Sequence, residues 1–290
     1  MLRISTTYSF SMKIICDSGS TKADWVLVDG QSVVGRVVTQ GISPVHQDAE
    51  EISRIISEEL LLATGAARIG EVAFYGSGVR PDLQDDMCRL LSMAFLSARR
   101  VEAWGDMLGA ARALCGRNYG IASILGTGAN SCLYDGESIV QNTPALGYIL
   151  GDEGSGAVLG RLFLNAVFKG ILPKGLRDEF FEKLGLSLSD IINKVYREPL
   201  ANRFLASLCP FIRSHLYNLQ LRQLVEDEFC HFFRSNIRPY GRPDLAVSFV
   251  GSIAYFFADV LRDAAAREGF RVGAIVRSPL DGLVKYHSCD

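Results

Sequence analysis

Phosphate chemistry is the first thing the residue types suggest. Asp17-Ser18-Gly19-Ser20-Thr21-Lys22 joins two short β-rich runs. Small residues let backbone N–H groups approach an anion, Ser and Thr hydroxyls add donors, and Lys22 adds charge. Asp17, at the end of an apolar run, could hold a hydrated Mg2+. The stretch is not a Walker loop: no G-x-x-x-x-G-K-[ST] occurs, and the turn leads into a strand rather than a helix. Alone it reads equally as a polar hairpin. Gly126-Thr127-Gly128-Ala129-Asn130-Ser131 is a second turn of similar make. Two such turns facing one another across a cleft would grip one polyphosphate from both sides.

Acid–base chemistry has fewer candidates. Gly105-Asp106 follows a strand and opens a helix. Asp106 there is either a helix cap, worth ~1 kcal/mol, or a general base directed at a substrate hydroxyl. Gly147-Tyr148-Ile149-Leu150-Gly151-Asp152-Glu153-Gly154-Ser155-Gly156 sets two carboxylates among glycines just before a helix. An acidic helix start is favoured by the helix dipole, while so many glycines favour close approach of a ligand.

The elements that must position these residues follow a repeated order. Met12–Cys16, Asp24–Val28 and Val33–Thr39 are β-rich, with Asp29-Gly30 as a hairpin signal. Asp48 and Glu51 resemble a capping box ahead of a helical face of Ile52, Ile55, Ile56 and Leu60. Glu71–Tyr75 reads as a strand. Pro81 opens a helix with Leu83, Met87, Leu90, Leu91 and Ala94 at helical spacing. Arg100–Ala103 is a strand before the Asp106 helix. The pattern then restarts as Gly120–Leu125, the glycine turn, Ser131–Tyr134, Asp135-Gly136 and Ser138–Gln141. Gly19 to Asp29 is ten residues and Gly126 to Asp135 nine. The chain therefore holds two copies of one three-stranded unit, a duplication at domain scale. After Gly151 it turns helical, with Phe-rich stripes that read as core. Ala246–Val250, a Gly251-Ser252 turn, a helix Ile253–Ala265 and a strand Gly273–Val276 follow.

Composition narrows the function. The 290 residues are 48% hydrophobic and 21% charged, enough apolar material for a buried core. Thirty Lys+Arg against thirty-two Asp+Glu argues against general nucleic-acid binding. No apolar run approaches the ~20 residues that span a bilayer, and the start lacks a long apolar segment of the signal-peptide kind. The seven Cys form no C-x-x-C pair and the four His are scattered, so neither a disulfide framework nor a zinc site is expected. The expected compartment is the cytoplasm. Residues 1–11 are patternless, so a start at Met12 is expected, and a chain trimmed to it should keep its stability and activity.

The set of motifs resembles the BadF/BadG/BcrA/BcrD-type ATPase family of the actin, Hsp70 and sugar-kinase superfamily, most closely its N-acetylglucosamine kinase branch. Asp17–Lys22, Gly105-Asp106, Gly126–Ser131, Leu146–Gly156 and Phe249-Val250-Gly251-Ser252 carry the resemblance, which runs from Met12 to about His287. It implies an α/β chain of two ribonuclease-H-like domains, 12–117 and 118–290, with a helical insertion at about 155–240 and a nucleotide cleft between them. It implies ATP and Mg2+ as cofactors, and phosphoryl transfer to a small amino sugar, N-acetylglucosamine or N-acetylmuramic acid. Asp106 would be the base. Thr21 and Thr127 would lie by the ATP phosphates, and Gly251-Ser252 by the adenosine. Asn130, Asp152, Glu153 and the backbone at Leu146 and Gly147 would hold the sugar. The resemblance also suggests a homodimer. In Gly41-Ile42-Ser43-Pro44, Ser43 stands where relatives often place a sugar-binding Asn, which leaves the sugar open. Ser18-Gly19-Ser20 replaces three consecutive glycines. The alternatives are an ATPase that activates a radical dehydratase through an iron–sulfur cluster, and a non-catalytic sugar or nucleotide sensor.

Overall fold

The computed structural model describes residues 12–19, 21–65 and 68–288. Ser20 and the expected extension 1–11 lie outside them. The chain divides into two compact units. One runs up to Gly116 and resumes at Pro279; the other is Arg117–Ser278.

In the first unit, β1 (Met12–Ser18), β2 (Lys22–Asp29), β3 (Ser32–Gln40), β4 (Ile69–Gly76) and β5 (Arg100–Gly105) form a sheet of order β3-β2-β1-β4-β5. β1, β2 and β3 are antiparallel hairpin partners, while β4 and β5 run parallel to β1. Asp48 accepts the Glu51 N–H and so caps α1 (Ala49–Ile55), whose Ile52 and Ile55 are buried. α2 (Gln84–Ala94) begins later than expected: Pro81 sits in the turn before it, Leu83 is the N-cap, and Met87 and Leu91 face the core. α3 (Asp106–Cys115) has Gly105 as N-cap, so Asp106 is its first helical residue rather than its cap.

Strand alternation sorts the side chains onto two faces. Ile14, Cys16, Trp25, Leu27, Val72, Phe74 and Ala103 pack with the residues of α1 and α2. Ile15, Val26, Val28, Ala73 and Tyr75 pack on the other face with Leu280 and Leu283. Those leucines belong to the C-terminal helix Leu280–Ser288, which sequence reading placed in the second domain. It groups with the first unit because Leu280, Leu283, Tyr286 and His287 form a stripe over this face, beside α3. Gly282 allows the approach: a Cβ there would collide with the Ala113 backbone.

The second unit repeats the plan. β6 (Gly120–Leu125), β7 (Ala129–Tyr134), β8 (Ile139–Thr143), β9 (Ala246–Val250) and β10 (Arg271–Val276) form a sheet of order β10-β9-β6-β7-β8. Read from β8, this is the order of the first sheet, again with an antiparallel triple joined to parallel neighbours. Both sheets thus have the α/β, ribonuclease-H-like arrangement expected. Between β8 and β9 the chain is helical, including α4 (Gly156–Phe168) and α5 (Leu219–Phe232). Phe163, Phe180, Phe229, Phe232, Phe233 and Phe249 fill its core. The helix expected over Ile253–Ala265 is two, Ser252–Phe256 and α6 (Ala258–Arg267), because Phe257 leaves helical geometry at φ −108°, ψ 22°. Among the described residues no helix is long and apolar enough to cross a membrane.

Candidate active site

In an open α/β sheet, ligands bind beyond the carboxyl ends of the strands where the strand order reverses direction. In the first sheet that point is between β1, which leads to β2 on one side, and β4 on the other. The carboxyl ends there are in register. Ser18 pairs with Gly76, and Gly76 with Gly105; one step earlier Asp17 pairs with Tyr75, and Tyr75 with Trp104. Asp17 therefore shares the sheet face of Ile15, Tyr75 and Trp104, the face covered by α3, at the end where Asp106 opens that helix.

This register gathers acids. Asp24 lies directly opposite Asp17 across the β1–β2 hairpin. Burial, then the charges of Asp106 and Asp24, push the Asp17 carboxyl from 3.8 up to about 7, with Lys22 acting in the opposite direction. Burial also raises Asp106, against hydrogen bonds from the backbone N–H groups of Met107 and its own residue. Sequence reading missed Asp24. Its signal is the hairpin register, which a short turn after Asp17 imposes.

Other expected residues of this loop take different work. The Ser18 hydroxyl is not available to phosphate: its Oγ donates to the Ile42 carbonyl at 2.9 Å and accepts the Ile42 N–H at 2.8 Å, holding the Gly41–Pro44 segment to the end of β1. Lys22 is committed to Asp24 at 2.7 Å. Gly19 donates its N–H to the Lys22 carbonyl, closing the turn, and Thr21 is exposed. Ser43 is buried, and its N–H donates to Gln47 Oε1. It packs on Gly78, where φ is +86° and an added Cβ would lie 2.7 Å from Ser43 Oγ. The Gly76-Ser77-Gly78 turn, which sequence reading also missed, therefore joins Ser43 to the strand end beside Asp106.

In the second unit the equivalent point lies between β6 and β9. Gly126-Thr127-Gly128 leaves β6, and Gly251-Ser252 leaves β9. A Cβ on Gly251, at φ +123°, would collide with the Leu125 carbonyl and lie 3.3 Å from Gly126 N, so only glycine permits these two ends to touch. The carbonyls of Gly126 and Thr127 accept the N–H groups of Gly156 and Ala157, which occupies the start of α4. Thr127 and Ser252 are exposed.

Asp152 joins the same loop. It accepts the Ala129 N–H, and its Oδ2 would lie 3.0 Å from a Cβ on Gly128. Burial, with Glu153 adding repulsion, raises its carboxyl. Its N–H donates to the Ala145 carbonyl, so Leu146, Gly147 and Asp152 lie in one closed loop; Leu146 (φ 63°) and Asp152 (φ 55°) both hold left-handed backbone. Asn130 Oδ1 accepts from Asn142 Nδ2 at 2.9 Å, and Glu153 accepts from Asn236 at 3.0 Å. Ser131, which ends the expected glycine turn and opens the expected strand, is a buried strand residue bonded to the Tyr240 hydroxyl.

No protein-family model matches the chain, and no curated protein matches it. Among solved structures, the "Putative N-acetylglucosamine Kinase" of Porphyromonas gingivalis is 46% identical, over 96% of this chain and 99% of that one, with a TM-score of 0.94. The chain belongs to that N-acetylglucosamine kinase-like branch of the BadF-type ATPase family. A kinase-like relative from Chromobacterium violaceum, given the same name, is 19% identical over 96% and 99% of the two chains, TM-score 0.76. The Lmo2764 protein of Listeria monocytogenes, "a putative N-acetylmannosamine kinase", is 14% identical over 95% and 98%, TM-score 0.52. These two show the fold alone, the actin-like fold of sugar kinases. The family branch and the acid-lined strand ends of the first unit thus meet in one kinase-like chain.

Proposed function

We propose that the chain is an ATP-dependent amino-sugar kinase that transfers the ATP γ-phosphoryl group to a hydroxyl of N-acetylglucosamine or N-acetylmuramic acid. The observation that carries the proposal is the 46% identity along nearly the full length of both chains. The site chemistry supports it. Asp106 acts as general base: its carboxylate accepts the proton of the acceptor hydroxyl as that oxygen attacks the γ-phosphorus and ADP leaves. A carboxyl raised by burial is a stronger base than a free one, which suits the task. Positioning and charge stabilisation supply most of the rest in such transfers. The backbone and side chains of Gly19, Ser20, Thr21, Gly126, Thr127 and Gly128 serve the phosphates, and Gly251 and Ser252 the adenosine side. Asn130, Leu146, Gly147, Asp152 and Glu153, with Ser43, serve the sugar.

The donor set of the first unit fits Mg2+. It is all carboxylate oxygen, burial and then the like charges of Asp106 and Asp24 raise the Asp17 carboxyl to about 7, and Lys22 is already paired. Among the described residues no group of three or more His, Cys, Asp or Glu could hold a metal by itself. That matches the habit of Mg2+, which keeps waters and binds through one or two carboxylates plus substrate phosphates. Asp17 would hold the ion through water, and the ion would neutralise charge on the transferring group.

Nothing specific favours the iron–sulfur alternative. Cys132, close in sequence to the second glycine turn, is buried inside β7. The test of the main reading is an ADP-release screen over acetylated amino sugars with Mg-ATP. Sugar-dependent ADP release with a phosphorylated product is the expected result. ADP release indifferent to every sugar rejects it.

A further inference from the structure

The Ser77 hydroxyl is buried and has no hydrogen-bond partner. A buried hydroxyl left unpaired costs about 1–3 kcal/mol, so it calls for a reason. Its backbone is well held: the Ser77 N–H donates to the Ser18 carbonyl at 2.9 Å. What lacks a partner is the side chain alone.

Its position supplies the reason. Ser77 is the first residue beyond the carboxyl end of β4, next to the point where the strand order reverses. Gly76 pairs with Gly105, the last residues of two adjacent parallel strands, so Ser77 opens the turn after one and Asp106 opens α3 after the other. The turn that carries it is tight. Gly78 holds φ +86° against Ser43, and a Cβ on Gly105 would lie 3.3 Å from the Val79 carbonyl. Ser77 thus stands at the strand ends that also carry Asp17 and Asp106.

We propose that Ser77 is a further acceptor-binding residue: its hydroxyl hydrogen-bonds a hydroxyl of the amino sugar beside the one that Asp106 deprotonates, and so selects which ring hydroxyl is presented for transfer. The inference rests on the amino-sugar kinase reading and adds to it a specificity determinant. A hydroxyl is the fitting partner because Ser can both donate to it and accept from it. A site built to pair a substrate hydroxyl discriminates strongly against an analogue that lacks it, since its own polar group is then left alone.

The test compares wild type with Ser77→Ala and the near-isosteric Ser77→Cys. Initial rates are taken with the best acceptor of the screen and with its monodeoxy analogues, at varied sugar and varied Mg-ATP. Ser77→Ala should raise KM for the sugar about tenfold and leave KM for ATP unchanged. One monodeoxy analogue should be about tenfold worse than the parent sugar for wild type, yet equal to the parent for Ser77→Ala. Melting should be unchanged or slightly higher in Ser77→Ala, because no native hydrogen bond is lost. Wild-type KM for every acceptor in both variants overturns the inference while leaving the kinase reading intact. A lowered melting temperature with unchanged deoxy-sugar preference assigns the hydroxyl a structural role and also overturns it. If wild type phosphorylates no amino sugar, the kinase reading fails and the inference falls with it.

Discussion

The Tyr75 hydroxyl lies 2.8 Å from His287 Nε2, across 212 residues of sequence. Arg112 Nη1 donates to the same phenolic oxygen at 2.8 Å, and the Arg112 guanidinium stacks over the Tyr75, Trp104 and Tyr286 rings. One oxygen on β4 therefore ties together α3, which begins at Asp106, and the C-terminal helix. Tyr75→Phe would leave the Arg112 and His287 nitrogens buried without that partner. It should destabilise the chain by about 1–3 kcal/mol. Urea unfolding measures it, and an unchanged midpoint would show the three-way bond to be dispensable.

Asp106→Asn keeps side-chain size and helical position but cannot accept a proton. Because Gly105 is the N-cap, no side-chain cap is lost, and the charge removed is one that burial disfavours, so the fold should keep its stability. Turnover of the best sugar should fall at least ~100-fold, with ATP binding retained. Near-normal kcat would remove Asp106 from the chemistry and move the search to Asp152 and Glu153.

Asp17 makes stability depend on pH. Its carboxyl titrates near 7 in the fold against 3.8 ordinarily, so the folded chain holds the proton more tightly than the unfolded one. The contribution is full below the ordinary value and is lost as pH rises through about 7. The stability difference between wild type and Asp17→Asn should therefore shift against wild type between about pH 4 and pH 7, without divalent cation. Mg2+ should flatten that shift. Denaturant melts of both proteins across this range decide it, and parallel pH profiles would exclude Asp17 as the titrating group.

Ser43→Asn tests the sugar side, with a cost that sequence reading did not foresee. Restoring the Asn that relatives often carry there should alter the preference between N-acetylglucosamine and N-acetylmuramic acid. Ser43 is buried against Gly78, so a larger amide must displace its neighbours. Overpacking of this kind costs about 1–3 kcal/mol. Calorimetry should show a lower Tm alongside any change in sugar ratio. An unaltered Tm would mean that the Gly76–Gly78 turn yields freely, which also weakens the case for a rigid Ser77.

Legibility in the sequence followed the range of the interactions. Hairpins, the Asp48 cap and the repeat of the three-stranded unit are local, and the residues announce them. Asp24 and Ser77 were invisible because each matters through register: one faces Asp17 across a hairpin, the other opens the turn after the strand that pairs with the one leading to Asp106. Ser18 misled for a related reason. A small hydroxyl in a phosphate-like loop looks free until the Ile42 backbone arrives from twenty-four residues away. The helix Leu280–Ser288 was not read in the sequence at all; its residues fell in 118–290 only because those bounds ran on past the last expected strand.

That helix gives the chain a particular order of completion. Synthesis proceeds from the N-terminus, and domains generally fold as units as they emerge. Here the second unit is finished while the first still lacks Leu280 and Leu283 from one sheet face. The unit bearing Asp17 and Asp106 is thus begun before the second unit and closed after it. A chain cut just before Leu280 would keep every residue of the second unit. It would nonetheless lack the cover of the sheet that carries the candidate base.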